Sequence, residues 1–187
     1  MTTSQRQNLI DVIIADHREV EQVFTELEDT TVDPRRRREL TDHVITELVR
    51  HSVAEEQYMY PAARKRLPNG DEVADHEIEE HSEAELLMKQ LEDLEATDPK
   101  FDELLGKLME SIRHHVEDEE NDLLPKLREA CSEDELVELG EKIIDAKRTA
   151  PTRPHPQAPD KPPANRILAP GAGLIDRMRD KLSGRAT

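Results

Sequence analysis

One pattern of histidine, glutamate and proline occurs twice in this chain and restricts how it can fold. In each copy a glutamate follows the histidine by four residues and a proline follows it by ten. The copies are His51, Glu55 and Pro61, and His115, Glu119 and Pro125, 64 residues apart. Because residues four apart project from one face of an α-helix, each copy predicts a helix that presents an imidazole and a carboxylate toward one point.

A shorter pattern, an acidic residue followed by histidine, repeats at the same offset. Its copies are Asp16-His17 and Glu80-His81. Each His/Glu pair is represented by its central position, 53 or 117, and the two single histidines by 17 and 81. The midpoints between successive members of the series 17, 53, 81 and 117 are 35, 67 and 99. Turn or helix-start signals lie at these places: Asp33-Pro34, Pro68-Asn69-Gly70 and Asp98-Pro99. An up-down-up-down bundle, rising about 1.5 Å per residue, would therefore bring both patterns to one level.

The spacing of apolar residues predicts four long helices and a shorter fifth. We predict helices over residues 5–29, from Pro34 to about Leu67, and from after Gly70 to about residue 96. The fourth begins at Pro99, and a capping box at Ser132 and Glu135 begins the fifth, which ends near Lys147. Pro61 and Pro125 fall inside predicted helices, where proline removes a backbone donor. Each marks a kink or an early helix end, and either starts a loop or shapes the site.

Composition supports an all-α fold of one domain and a tail. Charged residues make up 37% of the 187 residues and aromatic ones only 2%, a balance typical of helical bundles. We place a bundle domain at residues 1–148 and a flexible tail at residues 149–187. The formal charge of −17 would repel phosphate backbones, so we expect no nucleic-acid partner for the bundle. The single Cys131, the lack of an apolar stretch of about 20 residues and the lack of a signal sequence predict a cytoplasmic protein without a transmembrane segment.

The tail differs from the rest of the chain in proline content and charge. Residues 150–163 contain six of the twelve prolines and predict an extended linker. Residues 151–187 carry seven Lys/Arg against three Asp, a balance of +4 that leaves −21 on residues 1–150. Residues 166–182 form a short basic amphipathic segment. We expect an unstructured end, with weak contact to the acidic bundle, a partner or an anionic membrane surface as alternatives.

The repeated donors predict a metal site. Four histidines and two glutamates are too many ligands for one tetrahedral zinc but suit two adjacent metals that share carboxylates. The predicted ligands are His17, His51, Glu55, His81, His115 and Glu119. Imidazole and carboxylate donors suit Fe, Mn or Zn, and we favour iron because open coordination positions would remain. A metal-free network of His/Glu hydrogen bonds is the alternative.

Several neighbouring residues have a second candidate role. Asp16 and Glu80 either orient a neighbouring imidazole or face solvent, and Glu56 and Glu120, about 100° round their helices from the ligands, are surface or supporting groups. His76 is a candidate additional ligand, whereas His43 and His114 are expected to be exposed. Tyr58 and Tyr60 are expected to pack in the core, with hydrogen bonding to the site as the alternative.

The full arrangement of His17, His51-x3-Glu55, His81 and His115-x3-Glu119 resembles the hemerythrin-like (HHE cation-binding) family of bacterial type, over about residues 8–130. The resemblance implies a four-helix bundle holding two Fe ions in a non-haem di-iron centre, with an oxo or hydroxo bridge. The four histidines would be terminal ligands and Glu55 and Glu119 would be bridges. Oxygen-carrying hemerythrins have a histidine where this chain has Glu77 and an aspartate where it has Glu120, which argues against reversible oxygen carriage.

Three functions are consistent with this reading. The resemblance is to bacterial di-iron proteins linked to oxidative and nitric-oxide stress, which implies binding of, or reaction with, O₂, peroxide or NO. A sensing or storage module without turnover would use the same metals. A metal-free helical scaffold would need none of them.

Overall fold

The computed structural model describes residues 7–29 and 31–185, and within that part of the chain all regular structure is helical. The α-helices are α1 (Leu9–Glu28), α2 (Pro34–Ala54), α3 (Tyr60–Arg66), α4 (Gly70–Glu92), α5 (Pro99–Asp118), α6 (Leu124–Ala130), α7 (Glu133–Thr149) and α8 (Ala164–Ser183). The prediction of an all-α fold is confirmed. Residues 5 and 6 of the first predicted helix lie outside the described residues.

Four rods form the bundle: α1, α2 with α3, α4, and α5 with α6. The links between the rods are three to six residues long, so consecutive rods are antiparallel neighbours. The cap-and-proline signals act as predicted: the side chains of Asp33 and Asp98 accept backbone N–H bonds at the starts of α2 and α5. Helix α4 ends at Glu92, four residues before the predicted end.

The second and fourth rods each contain one π-helical turn, and each turn begins at a predicted ligand. The turns are Glu55–Met59, between α2 and α3, and Glu119–Leu123, between α5 and α6. Pro61 and Pro125 follow them as early residues of the next α-helix. The helices therefore do not end at the prolines. A π turn inserts one extra residue into the helix, and such turns are frequent at functional sites.

The apolar core consists of two clusters. One is centred on Ile13, Tyr60 and Leu127, and the other on Phe24, Val44 and Phe101. His17 lies between Ile13 of the first cluster and Val20 of the second. The other predicted ligands occupy the same level in their own rods, so a polar layer divides the bundle core.

Helix α7 packs against α1 and α2, and its N-terminus has the predicted capping box. Residues 164–183 form helix α8, where the sequence led us to expect an unstructured end. The ordering contacts are polar: Asp176 and Asp180 accept hydrogen bonds from Thr152 and Arg153 of the Pro-rich segment. This segment is thus held between α8 and the bundle. A periodicity of apolar residues could not predict such docking.

Among the described residues, no helix combines the length and apolar character that crossing a membrane would need.

Candidate metal centre

The structure brings the six predicted ligands together in the polar layer. Their side chains come from all four rods, and each residue is at most 5% exposed. The histidines point their Nε2 atoms inward and their Nδ1 atoms outward. Each carboxylate uses its two oxygens toward two different imidazoles, so the donors form two groups that share Glu55 and Glu119.

The first group contains His17 and His51. The His51 Nε2 atom lies 3.0 Å from Glu55 Oε1, and the His17 Nε2 atom lies 3.3 Å from Glu119 Oε2. All four side chains place a donor atom within 4.8 Å of the others. One cation can contact two imidazoles and one oxygen of each carboxylate here.

The second group contains His81 and His115 and uses the other carboxylate oxygens. The His81 Nε2 atom lies 3.3 Å from Glu55 Oε2, and the His115 Nε2 atom lies 3.7 Å from Glu119 Oε1. The two Nε2 atoms are 3.2 Å apart. Each histidine of this group lies 64 residues after one of the first group: His81 corresponds to His17, and His115 corresponds to His51.

The donors of the first group fit a cation. The atoms His17 Nε2, Glu55 Oε1 and Glu119 Oε2 are buried and have no hydrogen-bond partner within the described part of the chain. Leaving buried polar atoms unpaired costs about 1–3 kcal/mol each, and more for charged groups. A cation at their meeting point would satisfy all three atoms, and their chemistry suits Fe, Mn or Zn.

Each outward Nδ1 atom lies against a carboxylate from a neighbouring helix, which fixes the ring orientation. The four pairs are His17–Glu120 at 2.8 Å, His51–Asp16 at 3.2 Å, His81–Glu56 at 3.1 Å and His115–Glu80 at 3.0 Å. A donating Nδ1–H leaves the Nε2 lone pair free for a metal. Glu56 and Glu120 thus orient predicted ligands, as do Asp16 and Glu80.

Further out, these four carboxylates have different neighbours. Lys147 of α7 lies 2.6 Å from Asp16, and Arg18 binds Glu120 through two nitrogens. Glu80 faces the imidazoles of His76 and His114, while Glu56 lines a cavity. Lys147 and Arg18 therefore place positive charge behind the carboxylates of the first donor group, whereas the second group has no such cation in these contacts.

The buried charges shift the pKa values of the histidines. Burial alone would lower the pKa of His51, but the Glu55 and Asp16 carboxylates outweigh burial and raise it to about 10. Burial is likewise outweighed at His81 and His115, whose pKa values are raised by neighbouring carboxylates that include Glu55. In metal-free protein, protons on these imidazoles therefore offset the carboxylate charge, and a metal would displace them.

Two residues break the correspondence between the halves. The Tyr60 hydroxyl lies 3.0 Å from both His81 Nε2 and Glu119 Oε1 and donates to Glu55 at 3.3 Å, whereas the residue 64 positions later is Leu124. The Glu77 carboxylate lies 3.0 Å from His115 Nδ1, whereas its counterpart is Ile13. Burial raises the pKa of both Tyr60 and Glu77. The Tyr60 and Glu77 side chains both contact residues of the second donor group.

Sequence reasoning underrated Tyr60 and gave Glu77 no role at the centre. The 64-residue repeat could have indicated both residues. A polar residue in one copy that corresponds to Leu or Ile in the other copy shows where the two halves differ. Tyr58 packs instead under the guanidinium of Arg166. His76 is exposed and does not reach the buried donors, so it is not an additional ligand of this centre.

A cavity of about 360 Å³ lies beside the second donor group. His81 and Glu56 line its inner end, Val49, Val53 and Met88 line its wall, and residues 151–172 of the tail cover it. The tail therefore lies between solvent and one side of the centre.

A four-helix bundle with a buried layer of shared histidine and carboxylate donors defines a class of helical metal-binding proteins. The family model for the hemerythrin HHE cation-binding domain matches residues 8–127. The chain belongs to the hemerythrin HHE family, as predicted.

The chain is also similar to two curated proteins and to one solved structure. An uncharacterized hemerythrin-like protein of Schizosaccharomyces pombe is 31% identical over 92% of this chain and 85% of its own length. A DNA nickase of Nostoc is 29% identical over 76% of this chain but only 40% of its own length. The crystal structure of a hemerythrin HHE cation-binding domain-containing protein from Mycobacterium kansasii has a similar fold. Its TM-score is 0.66 at 22% identity, over 76% of this chain and 86% of the other.

Proposed function

We propose that this protein is a non-haem di-iron protein that binds or reacts with small oxidants, namely O₂, peroxide or NO, in oxidative or nitrosative stress. The observation that carries the proposal is the sharing of Glu55 and Glu119 between two pairs of imidazoles. Such sharing suits two cations bridged by carboxylates, and we propose His17, His51, His81 and His115 as their terminal ligands.

When bound, a pair of iron ions would supply redox capacity and open coordination positions for a small oxidant. The Tyr60 hydroxyl lies within 3.3 Å of three donor atoms of the second group, so it is placed to donate a hydrogen bond there. Burial and the Glu119 and Glu55 carboxylates raise the pKa of Tyr60, which keeps the phenol protonated.

Glu56 connects this side of the centre with the cavity. Its carboxylate accepts from His81 Nδ1 at 3.1 Å, and burial raises its pKa. A carboxyl group with a raised pKa can hold a proton between His81 and the cavity. The apolar walls of the cavity suit small uncharged molecules such as O₂, NO and hydrogen peroxide, so we propose it as their access route.

Iron loading and turnover test this function. Anaerobic protein supplied with Fe²⁺ should retain about two irons per chain after gel filtration. His51→Ala should lose iron, while His43→Ala, which removes a half-buried histidine that is not among the predicted ligands, should not. An excess of peroxide or NO should then be consumed over many equivalents per site. Protein that retains no iron contradicts the proposal.

Sensing or storage is the alternative, favoured by the burial of all six donors and the cover of the tail over the cavity. The same experiment separates the two functions. A sensor or store would give a spectral change that ends at one equivalent of oxidant per site, with no further consumption.

We also propose that α8 contacts an anionic membrane surface. It buries Asn165, Ala169, Gly173, Asp176 and Asp180 and leaves its apolar side outward. The exposed apolar residues are Ile167, Leu168, Leu174, Ile175, Met178 and Leu182, which at about 100° per residue fall within an arc of about 120°. Arg179 lies beyond one edge of this arc and Lys181 beyond the other, an arrangement suited to anionic lipids.

Vesicle binding tests this contact. The full chain should sediment with vesicles containing phosphatidylglycerol and not with pure phosphatidylcholine vesicles. Replacing Leu174, Ile175 and Met178 by Gln should weaken sedimentation by about tenfold or more, because apolar burial drives interfacial binding. Leu86→Gln, at an exposed leucine outside α8, is the matched control. A dimer that the triple replacement dissociates would instead identify a second copy of the chain as the partner.

We also propose a cytoplasmic location for the protein, inferred from its single cysteine.

A further inference from the structure

Four donor side chains that the buried centre does not use as ligands meet on the surface between α4 and α5. His76 and Glu80 lie four residues apart on α4, and His114 and Asp118 lie four residues apart on α5. Each helix therefore presents a histidine and a carboxylate from one face. The histidines are exposed, at 55% and 65%, whereas Glu80 is only 15% exposed.

His76, Glu80 and Asp118 place donor atoms within 4.8 Å of one another, and His114 lies near the same two carboxylates. His76 Nε2 lies 3.7 Å from Glu80 Oε1 and 3.9 Å from Asp118 Oδ2. His114 Nε2 lies 3.8 Å and 3.7 Å from the same two oxygens. Tetrahedral ligands at about 2.0–2.2 Å from a metal are about 3.3–3.6 Å apart. The four imidazole–carboxylate distances exceed this range by only a few tenths of an ångström.

Comparison of the two halves of the molecule shows that a cation fits here. Asp16, the counterpart of Glu80, pairs outward with Lys147 at 2.6 Å while it supports His51. Glu80 supports His115 in the same way, but the groups on its outer side are His76 and His114. A neutral imidazole carries no charge, so it does not offset the Glu80 carboxylate as the Lys147 ammonium offsets that of Asp16. At Glu80, a bound cation would take the place that Lys147 has at Asp16.

We propose that His76, Glu80, His114 and Asp118 form an exposed site for a divalent first-row metal ion, which captures Fe²⁺ for the buried centre. The site is distinct from the buried donors but linked to them, because Glu80 faces it with Oε1 and accepts from His115 with Oε2. The capture role rests on the proposed iron function, whereas binding of a cation at the surface does not. Two imidazoles and two carboxylates suit Fe²⁺ and bind Zn²⁺ more tightly, so Zn²⁺ is a useful probe.

Counting bound cations tests the site. Zn²⁺ is titrated by calorimetry into the full chain, into the double variant His76→Ala/His114→Ala, and into His43→Ala. The double variant should bind one equivalent fewer than both wild type and His43→Ala. The comparison holds whatever the buried centre contains, since all three proteins share it. Equal stoichiometry in the three proteins overturns the site.

The time course of iron uptake tests the capture role. At limiting Fe²⁺, loading of the double variant should be about tenfold slower than that of His43→Ala, because a surface donor site raises the local cation concentration. The final iron content should be the same in both. Equal rates overturn the capture role, whereas failure of every protein to take up iron would contradict the proposed function instead. Glu80 is left intact throughout because it orients His115.

Discussion

The Nδ1 atom of His51 on α2 lies 3.2 Å from the Oδ2 atom of Asp16 on α1. The same relationship recurs 64 residues later, where His115 Nδ1 lies 3.0 Å from Glu80. An acidic residue that precedes one histidine in the sequence therefore orients the histidine of the next rod. The short Asp-His and Glu-His repeats and the longer His-x3-Glu repeats thus form one structural unit.

Asp16→Asn should weaken metal binding while leaving the fold intact. The amide keeps an oxygen acceptor but removes the negative charge that orients His51, and such changes typically cost about 10–100-fold in metal affinity. Competition with a chromophoric chelator measures the affinity. Glu19→Gln, an exposed carboxylate on the same helix, is the control and should bind metal as wild type does. Equal affinities in the two variants would remove the orienting role of Asp16.

Metal-free protein should lose stability as the pH rises. The pKa of His51 is raised to about 10 in the folded state, and those of His81 and His115 are raised as well. A raised folded-state pKa stabilises the protein fully below the unfolded value of about 6.5, and that stabilisation is lost as the pH rises toward 10. Urea denaturation at a series of pH values measures it. A free energy of unfolding that increases from pH 7 to pH 9 would contradict the assignment.

Tyr60→Phe should leave the metal content unchanged and alter ligand binding at the second donor group. Loss of one hydrogen-bond donor, worth about 0.5–1.5 kcal/mol, should weaken azide or peroxide binding by up to about tenfold. Absorbance titration of the iron-loaded protein with azide measures this. Leu124→Met, at the corresponding position of the other half, should have no such effect. If both variants bind azide alike, the phenol packs without contacting the ligand.

Gly173→Ala should release the tail from the bundle. A Cβ atom at Gly173 would collide with the carbonyl oxygens of Thr149 and Ala150, whereas one at Gly171, on the same helix, would meet nothing within 4 Å. Gly171→Ala therefore controls for helix propensity. Hydrogen exchange of residues 151–183 should accelerate only in Gly173→Ala, and NO should reach the loaded centre faster. Unchanged NO-binding kinetics in a released tail would rule out the covered cavity as the access route.

Deleting residues 151–187 should leave the iron content unchanged, because all six proposed ligands lie before the deletion. Elemental analysis of the truncated and full chains measures this. The boundary between the bundle domain and the tail, at residue 148, stays a prediction until then. A large loss of iron would show that residues of the tail belong to the metal-binding domain.

The repeat spacing predicted the bundle and the level of the six donors. Helix geometry is local, so the four-residue spacing of His115 and Glu119 and the positions of Asp33 and Asp98 can be read directly from the chain. Glu77 and Tyr60 follow the same helical pattern as ordinary core residues. Their contacts with the donors could not be read in this way, because those contacts cross between helices.

What the sequence by itself determined is which side chains lie on one face of each helix and where each helix turns back. Only the tertiary structure decided which carboxylate meets which imidazole, that a phenol enters one half of the centre, and that α8 docks through its aspartates with its apolar side outward. The physical reason is that such contacts depend on the rotation and axial shift of packed helices. A single π-helical turn, as at Glu55–Met59, changes the facing of every residue after it.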